Sequence, residues 1–224
     1  MKLRYCIFSL ILAIHLNAQV RVINDGFPGE NTLELDARLD DALQQFKPDY
    51  VVLFAGANDA LNDKKFLKAT ETGIHLRAMA DRIKRRGANI MMVTVHDPDL
   101  IRLMRRHAPE VYGDTSPLQR LALVNKQVRR IALLEHVPLV PFATVLQTAG
   151  GANAELSTDG VHLTAKGYGL LAAAVRKQLP KNIPGTVTIL CFGDSLTYGI
   201  GVRPPNGSSE TSETYPAQLQ ALLQ

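Results

Sequence analysis

Val187-Thr188-Ile189-Leu190-Cys191-Phe192 is an apolar run with little polar alternation, and it passes directly into Gly193-Asp194-Ser195-Leu196-Thr197. A strand that is apolar on both sides is covered on both faces, as in a parallel sheet held between layers of helices. A serine just past its end puts a hydroxyl at the C-terminal edge of that sheet, where ligands of open α/β folds bind. The run predicts a strand over 186–192, and 20–24, 50–55, 89–95 and 138–142 predict four more. Helical patterns fall between them: 31–46 with Asn31 and Glu34 spaced as a capping box, 63–86 stopped by Gly87, and 116–136 opened by Ser116-Pro117. Two further helices are expected over 164–179, capped by Thr164, and over 215–223. Strands alternating with helices predict an α/β fold with a parallel sheet. Segments 97–115 and 193–214 have no clear period and follow strands, so they are expected to be ligand-facing loops.

The 224 residues suit one domain with a full core, and 46% hydrophobic with 21% charged residues exclude a disordered chain. The net charge is +4, and two of the cations, Lys2 and Arg4, open a segment that reads as a leader. That leader spans 1–18: a basic start, an apolar stretch from Tyr5 to Leu16, and Leu16-Asn17-Ala18 at the cut. Its apolar stretch is shorter than the roughly 20 residues of a membrane span. Cleavage after Ala18 would leave domain 19–224, remove Cys6 and leave Cys191 as the single cysteine, so no intrachain disulfide is expected. The expected location is the periplasm or the medium of a bacterium, with no stable membrane insertion once the leader is cut. The basic run Arg82-Ile83-Lys84-Arg85-Arg86 stands where a helix should end, and cations favour that end of the dipole. No aromatic residues interleave it, so no nucleic-acid partner is expected.

Three further pieces carry chemistry beside Ser195. Asp159-x-x-His162 lies in the turn before the Thr164-capped helix, where a carboxylate can hold one ring nitrogen and leave the other as a base. Asn24-Asp25-Gly26-Phe27-Pro28-Gly29 joins a strand to a helix, and its glycines let backbone N–H groups meet an anion. Gly56-Ala57-Asn58-Asp59 follows another strand and supplies a side-chain amide donor. Gly29, Asn58 and Ser195 each fall just past a predicted strand, and parallel strands place those ends on one face. No metal-ligand spacing is present and no cofactor is expected. His75, His107 and His136 read as surface residues without partners, whereas His96-Asp97-Pro98-Asp99 follows a strand on the active face and could wall the pocket.

Jointly these four blocks resemble the SGNH, or GDSL, hydrolase family, across nearly all of 20–224. Val137-Pro138-Leu139-Val140-Pro141-Phe142 is most similar to its bacterial thioesterase I, lysophospholipase and arylesterase branch. The resemblance implies a three-layer α/β/α, flavodoxin-like sandwich and a single SGNH-type hydrolase domain. It implies Ser195 as nucleophile, His162 as base and Asp159 as its partner. The oxyanion hole would consist of the Ser195 and Gly29 N–H groups and the Asn58 side chain, with Asp194 bracing the serine loop.

The block order departs from the family, whose serine block comes first; here it comes last, as in a circular permutant. The family strand order then requires the last strand to insert between the first and second. Residues 180–185 must join the last long helix to that strand, and six residues reach about 20 Å when extended. The implied activity is an exported serine esterase acting on small acyl esters, whether lysophospholipid, aryl, short-chain or thioester. A carbohydrate O-acetylesterase is the alternative. A non-catalytic binding domain is the reading from another class, and a fluorophosphonate probe separates it from an enzyme. Nothing in the sequence sets the oligomeric state.

Overall fold

A computed structural model describes residues 19–183, 185–204 and 211–224. The expected leader, with Cys6, lies outside the described residues. Five strands, β1 (Val20–Gly26), β2 (Tyr50–Phe54), β3 (Asn89–Val93), β4 (Leu139–Val140) and β5 (Val187–Gly193), form one all-parallel sheet in the order β1-β5-β2-β3-β4. The last strand therefore inserts between the first and second, as expected. Val22 pairs with Ile189, and Val52 with Cys191, so β5 is hydrogen-bonded on both edges.

Alternate residues of the inner strands enter two different cores. Val52, Phe54, Met91, Ile189 and Cys191 join one, and Val51, Leu53, Ile90, Leu190 and Phe192 the other. The second core is closed by α1 (Thr32–Phe46), α3 (Ala69–Arg85) and the later turns of α5 (Pro117–Leu134). The first is closed by α6 (Phe142–Thr148), α7 (Ala165–Gln178) and α9 (Tyr215–Leu222). Covering both faces is what the apolar runs without alternation require. The short helices α2 (Ala57–Leu61), α4 (Leu100–Leu103) and α8 (Ser195–Tyr198) all start at the C-terminal side of the sheet.

Helix caps follow the sequence closely. Asn31 accepts from the Glu34 N–H while Glu34 accepts from the Asn31 N–H, and Ser116 does the same with Gln119. Thr164 caps α7 through the Gly167 N–H. On the outer edge of β1 the Gln220 side chain of α9 takes the place of a strand. It accepts from the Val22 N–H at 2.7 Å and donates to the Val20 carbonyl at 2.9 Å. Among the described residues no helix is long and apolar enough to cross a membrane.

Three expectations need correction. The helix expected over 63–86 begins at Ala69, because Asn62 turns the chain: its side chain accepts from the Lys64 N–H and its carbonyl from the Lys65 N–H. The strand expected over 138–142 is only Leu139–Val140; Pro141 has no N–H to extend the ladder, and α6 starts at Phe142. His75 is not without a partner. Its Nδ1 lies 2.8 Å from Asp36 Oδ2, and Arg82 pairs with both Asp36 and Asp40, so α3 is pinned to α1.

Candidate active site

Ser195 opens α8 immediately beyond the central strand. The turn is tight: a Cβ at Gly193 would collide with the Phe54 carbonyl and the Thr197 hydroxyl, so only glycine fits. Asp194 caps α8, accepting from the Leu196 N–H at 2.9 Å. Its carboxyl is fully enclosed, and burial pushes its pKa up to about 7 against the pull of that N–H, with Asp59 and Glu30 adding to the rise. Asp194 thus braces the serine turn, and its contact with Asn58 Nδ2 at 3.4 Å ties it to the neighbouring block.

His162 Nε2 lies 3.0 Å from Ser195 Oγ, and His162 Nδ1 lies 2.7 Å from Asp159 Oδ2. Asp159 Oδ1 accepts from the N–H groups of Val161 at 2.9 Å and His162 at 2.8 Å, so the four-residue turn is closed on itself. Ser157 locks it from below, donating to the His162 carbonyl at 2.8 Å and accepting from the Gly160 N–H at 2.8 Å. Burial acts to raise the Asp159 pKa, but the His162 bond and charge and the two N–H donors outweigh it. The carboxyl is held well below the usual range and stays ionised. A hydroxyl, an imidazole and a carboxylate in this line can pass the hydroxyl proton to the ring and stabilise the resulting cation.

Facing the serine from the other side are Gly29 and Asn58. Gly29 has φ +85°, a left-handed backbone that favours glycine, and a Cβ there would meet nothing within 4 Å. Asn58 Nδ2 donates to the Glu30 carbonyl at 2.9 Å, and its Oδ1 accepts from Asn62 at 3.1 Å. Among the described residues neither the Gly29 nor the Ser195 N–H meets an acceptor. Ser195, His162, Gly29 and Asn58 line one cavity of about 290 Å³. It is the kind of cleft in which two backbone donors and one amide can surround a developing oxyanion.

His96 lies behind this wall. It is buried, its Nε2 is 2.9 Å from the Val161 carbonyl, its ring meets Phe142 edge-on, and burial pushes its pKa down to about 4. It supports the wall from within and does not line the cavity. His107, expected to be unpartnered, lines the cavity with Nδ1 at 3.1 Å from Asp63 Oδ1.

Two arginines escaped the sequence reading. Arg38 of α1 donates to Glu30 Oε2 at 2.6 Å, Asp25 Oδ2 at 2.7 Å, the Asp25 carbonyl at 3.0 Å and the Gly193 carbonyl at 3.2 Å. Its guanidinium is sandwiched between the rings of Phe27 and Phe192. It thereby joins the loop bearing Gly29 to the strand that leads to Ser195. The available signal was its place on the apolar stripe of α1, among Leu35, Leu39 and Ala42. The second, Arg106, lies 2.8 Å from Asp159 Oδ2 and comes from a segment whose sequence has no period.

Comparison with known proteins bears on this geometry. The model of the GDSL-like lipase/acylhydrolase family matches residues 7–170, a stretch that contains Gly29, Asn58, Asp159 and His162 and stops before Ser195. The chain is 25% identical over 142 residues to Esterase TesA of Pseudomonas aeruginosa, covering 63% of this chain and 61% of that protein's length. The structure of a lipase/acylhydrolase from Enterococcus faecalis superposes with a TM-score of 0.55 at 26% identity, over 70% of this chain and 76% of the other. An acetylxylan esterase from Geobacillus stearothermophilus shares the fold at 21% identity, with a TM-score of 0.54 over 67% of this chain and 68% of its own.

Proposed function

The chain belongs to the GDSL-like lipase/acylhydrolase family, and from that premise we propose that it is a serine esterase working through Ser195, His162 and Asp159. Ser195 Oγ attacks the ester carbonyl carbon while His162 Nε2 takes the hydroxyl proton. The carbonyl oxygen, now an anion, is held by the N–H groups of Ser195 and Gly29 and by Asn58 Nδ2. The intermediate collapses, and the departing alcohol oxygen receives the proton from His162. A water then gives its proton to the same nitrogen and attacks the acyl-enzyme, releasing the acid and restoring Ser195. Asp159 keeps Nδ1–H in place and stabilises the imidazolium in both halves. The single observation that carries this reading is the unbroken line from Oγ through the ring to the carboxylate, at 3.0 Å and 2.7 Å. Ser195→Ala should abolish turnover of a p-nitrophenyl ester; turnover at the wild-type rate would end the proposal.

The cavity of about 290 Å³ lies at the lower end of small-molecule sites, roughly 300–1,000 Å³, and suits short acyl groups. That keeps carbohydrate O-acetyl esters as a second reading, beside aryl, short-chain and lysophospholipid esters. A chain-length series run against acetylated sugars separates them. We also read residues 1–18 as an export leader, so that the mature exported chain begins at Gln19. The mass of the exported protein tests this. The order of the blocks we read as a circular permutation of the family chain. Its support is that the last helix and the first strand lie side by side, joined through Gln220.

A further inference from the structure

Asp159 Oδ2 is shared. It takes the His162 Nδ1 contact at 2.7 Å and lies 2.8 Å from Arg106 Nη1. Arg106 also lines the cavity that holds Ser195, and no acidic side chain stands in that lining. Among the described residues the ion pair with Asp159 is the one polar contact its guanidinium makes. A guanidinium carries five N–H donors in a planar fork suited to carboxylate and phosphate, so most of them are left unspent here. The neighbouring His107 is already held by Asp63.

The direction in which Arg106 meets a substrate follows from the chemistry, and here the inference rests on the esterase reading above. The carbonyl oxygen must face Gly29 and Asn58, while the alcohol oxygen must face His162 Nε2 to receive its proton. Arg106 touches the carboxylate behind His162, so it stands on the alcohol side of the scissile bond. We propose that Arg106 is an anion-recognition residue for the alcohol part of the substrate, selecting esters whose alcohol carries a carboxylate or phosphate. The Arg106 side chain is 37% exposed, and an ion pair at that exposure is worth little. An anion offering both oxygens to the fork therefore competes with Asp159 for Arg106. When it wins, Asp159 is left to His162 alone.

The test compares butyrate esters of 4-hydroxybenzoate, 4-hydroxyphenyl phosphate and 4-hydroxybenzamide, the last being neutral. The enzymes are wild type, Arg106→Met, Arg106→Lys and Arg105→Met, Arg105 being an exposed neighbour outside the lining. The quantity read is the ratio of kcat/KM for each anionic ester to that for the amide, within one enzyme. Wild type should favour at least one anionic ester by roughly 10- to 100-fold, the size of a charged hydrogen bond, mostly through KM. The arm with the larger ratio identifies carboxylate or phosphate as the group taken. Arg106→Met should bring the ratio close to one, Arg106→Lys should keep part of it, and Arg105→Met should keep it all. A wild-type ratio near one, or an anionic preference that survives in Arg106→Met, overturns the proposal while leaving the esterase reading intact. If wild type hydrolyses none of the three esters and its serine fails to take a fluorophosphonate, the underlying reading falls with it.

Discussion

Asn58 gives one amide hydrogen to the carbonyl of Glu30 at 2.9 Å, and Glu30 directly follows Gly29. The bond fixes the orientation of the amide and couples it to the loop whose N–H stands on the same cavity. Replacing Asn58 by Ala should lower kcat by roughly 10²–10³, about 2.7–4 kcal/mol of barrier, with a much smaller change in KM. Steady-state kinetics on an aryl ester checks this. A loss confined to KM would mean that Asn58 binds the ground state and not the oxyanion.

Arg38 links Glu30, Asp25 and the Gly193 carbonyl from a largely enclosed position. Arg38→Met should cost about 1–3 kcal/mol of stability, because two carboxylates lose their partner. Arg38→Lys should recover part of it, since one cation still reaches but cannot span all the acceptors. Urea unfolding of both variants measures the difference, and equal stability of Arg38→Met and wild type would contradict it.

Two buried groups should give opposite stability slopes between about pH 4 and 6.5. Burial pushes His96 down to about 4 from 6.5, so unfolding takes up a proton between those values and stability falls as the pH falls. Burial pushes Asp194 up to about 7 from 3.8, so unfolding releases a proton and stability falls as the pH rises towards 7. Relative to wild type, His96→Gln should therefore gain about 1 kcal/mol per pH unit as the pH drops from 6.5 to 4. Asp194→Asn should gain at a similar rate as the pH rises from 4 to 7. Unfolding curves that stay parallel to wild type across pH 4–7 would contradict both assignments.

The neighbouring ends invite a rearranged chain. Residues 185–224 placed ahead of 19–184, joined by a short flexible linker, should fold cooperatively and keep ester turnover within about tenfold, because β5 would still enter between β1 and β2. Loss of cooperative melting in the rearranged chain would count against the permutation.

How much of this was legible in the sequence varies by element. The inner strands were, because runs such as Tyr50–Phe54 are apolar on both sides, whereas the fourth was overdrawn to 138–142 and is only Leu139–Val140. The long helices were, because Asn31, Ser116 and Thr164 are caps with a hydroxyl or amide at the right place. Helices α2, α4 and α8 were not, since four or five residues make little more than one turn and leave no period to read. The stretches carrying Ser195, His162, Asp159, Gly29 and Asn58 were legible as blocks. Their meeting in one cavity depends on β5 lying beside both β1 and β2, a topological matter that only the block order hinted at. The partners of His75, His107 and Arg38 lie on other elements, and no local pattern encodes such pairs.

The most direct measurement is site-resolved labelling by a fluorophosphonate, which reacts only with a serine whose hydroxyl is activated. Peptide mass mapping should find one adduct per chain, on Ser195, and His162→Ala should reduce its rate of formation by orders of magnitude. An unlabelled Ser195 in folded wild-type protein, or labelling that is indifferent to His162, would contradict the account.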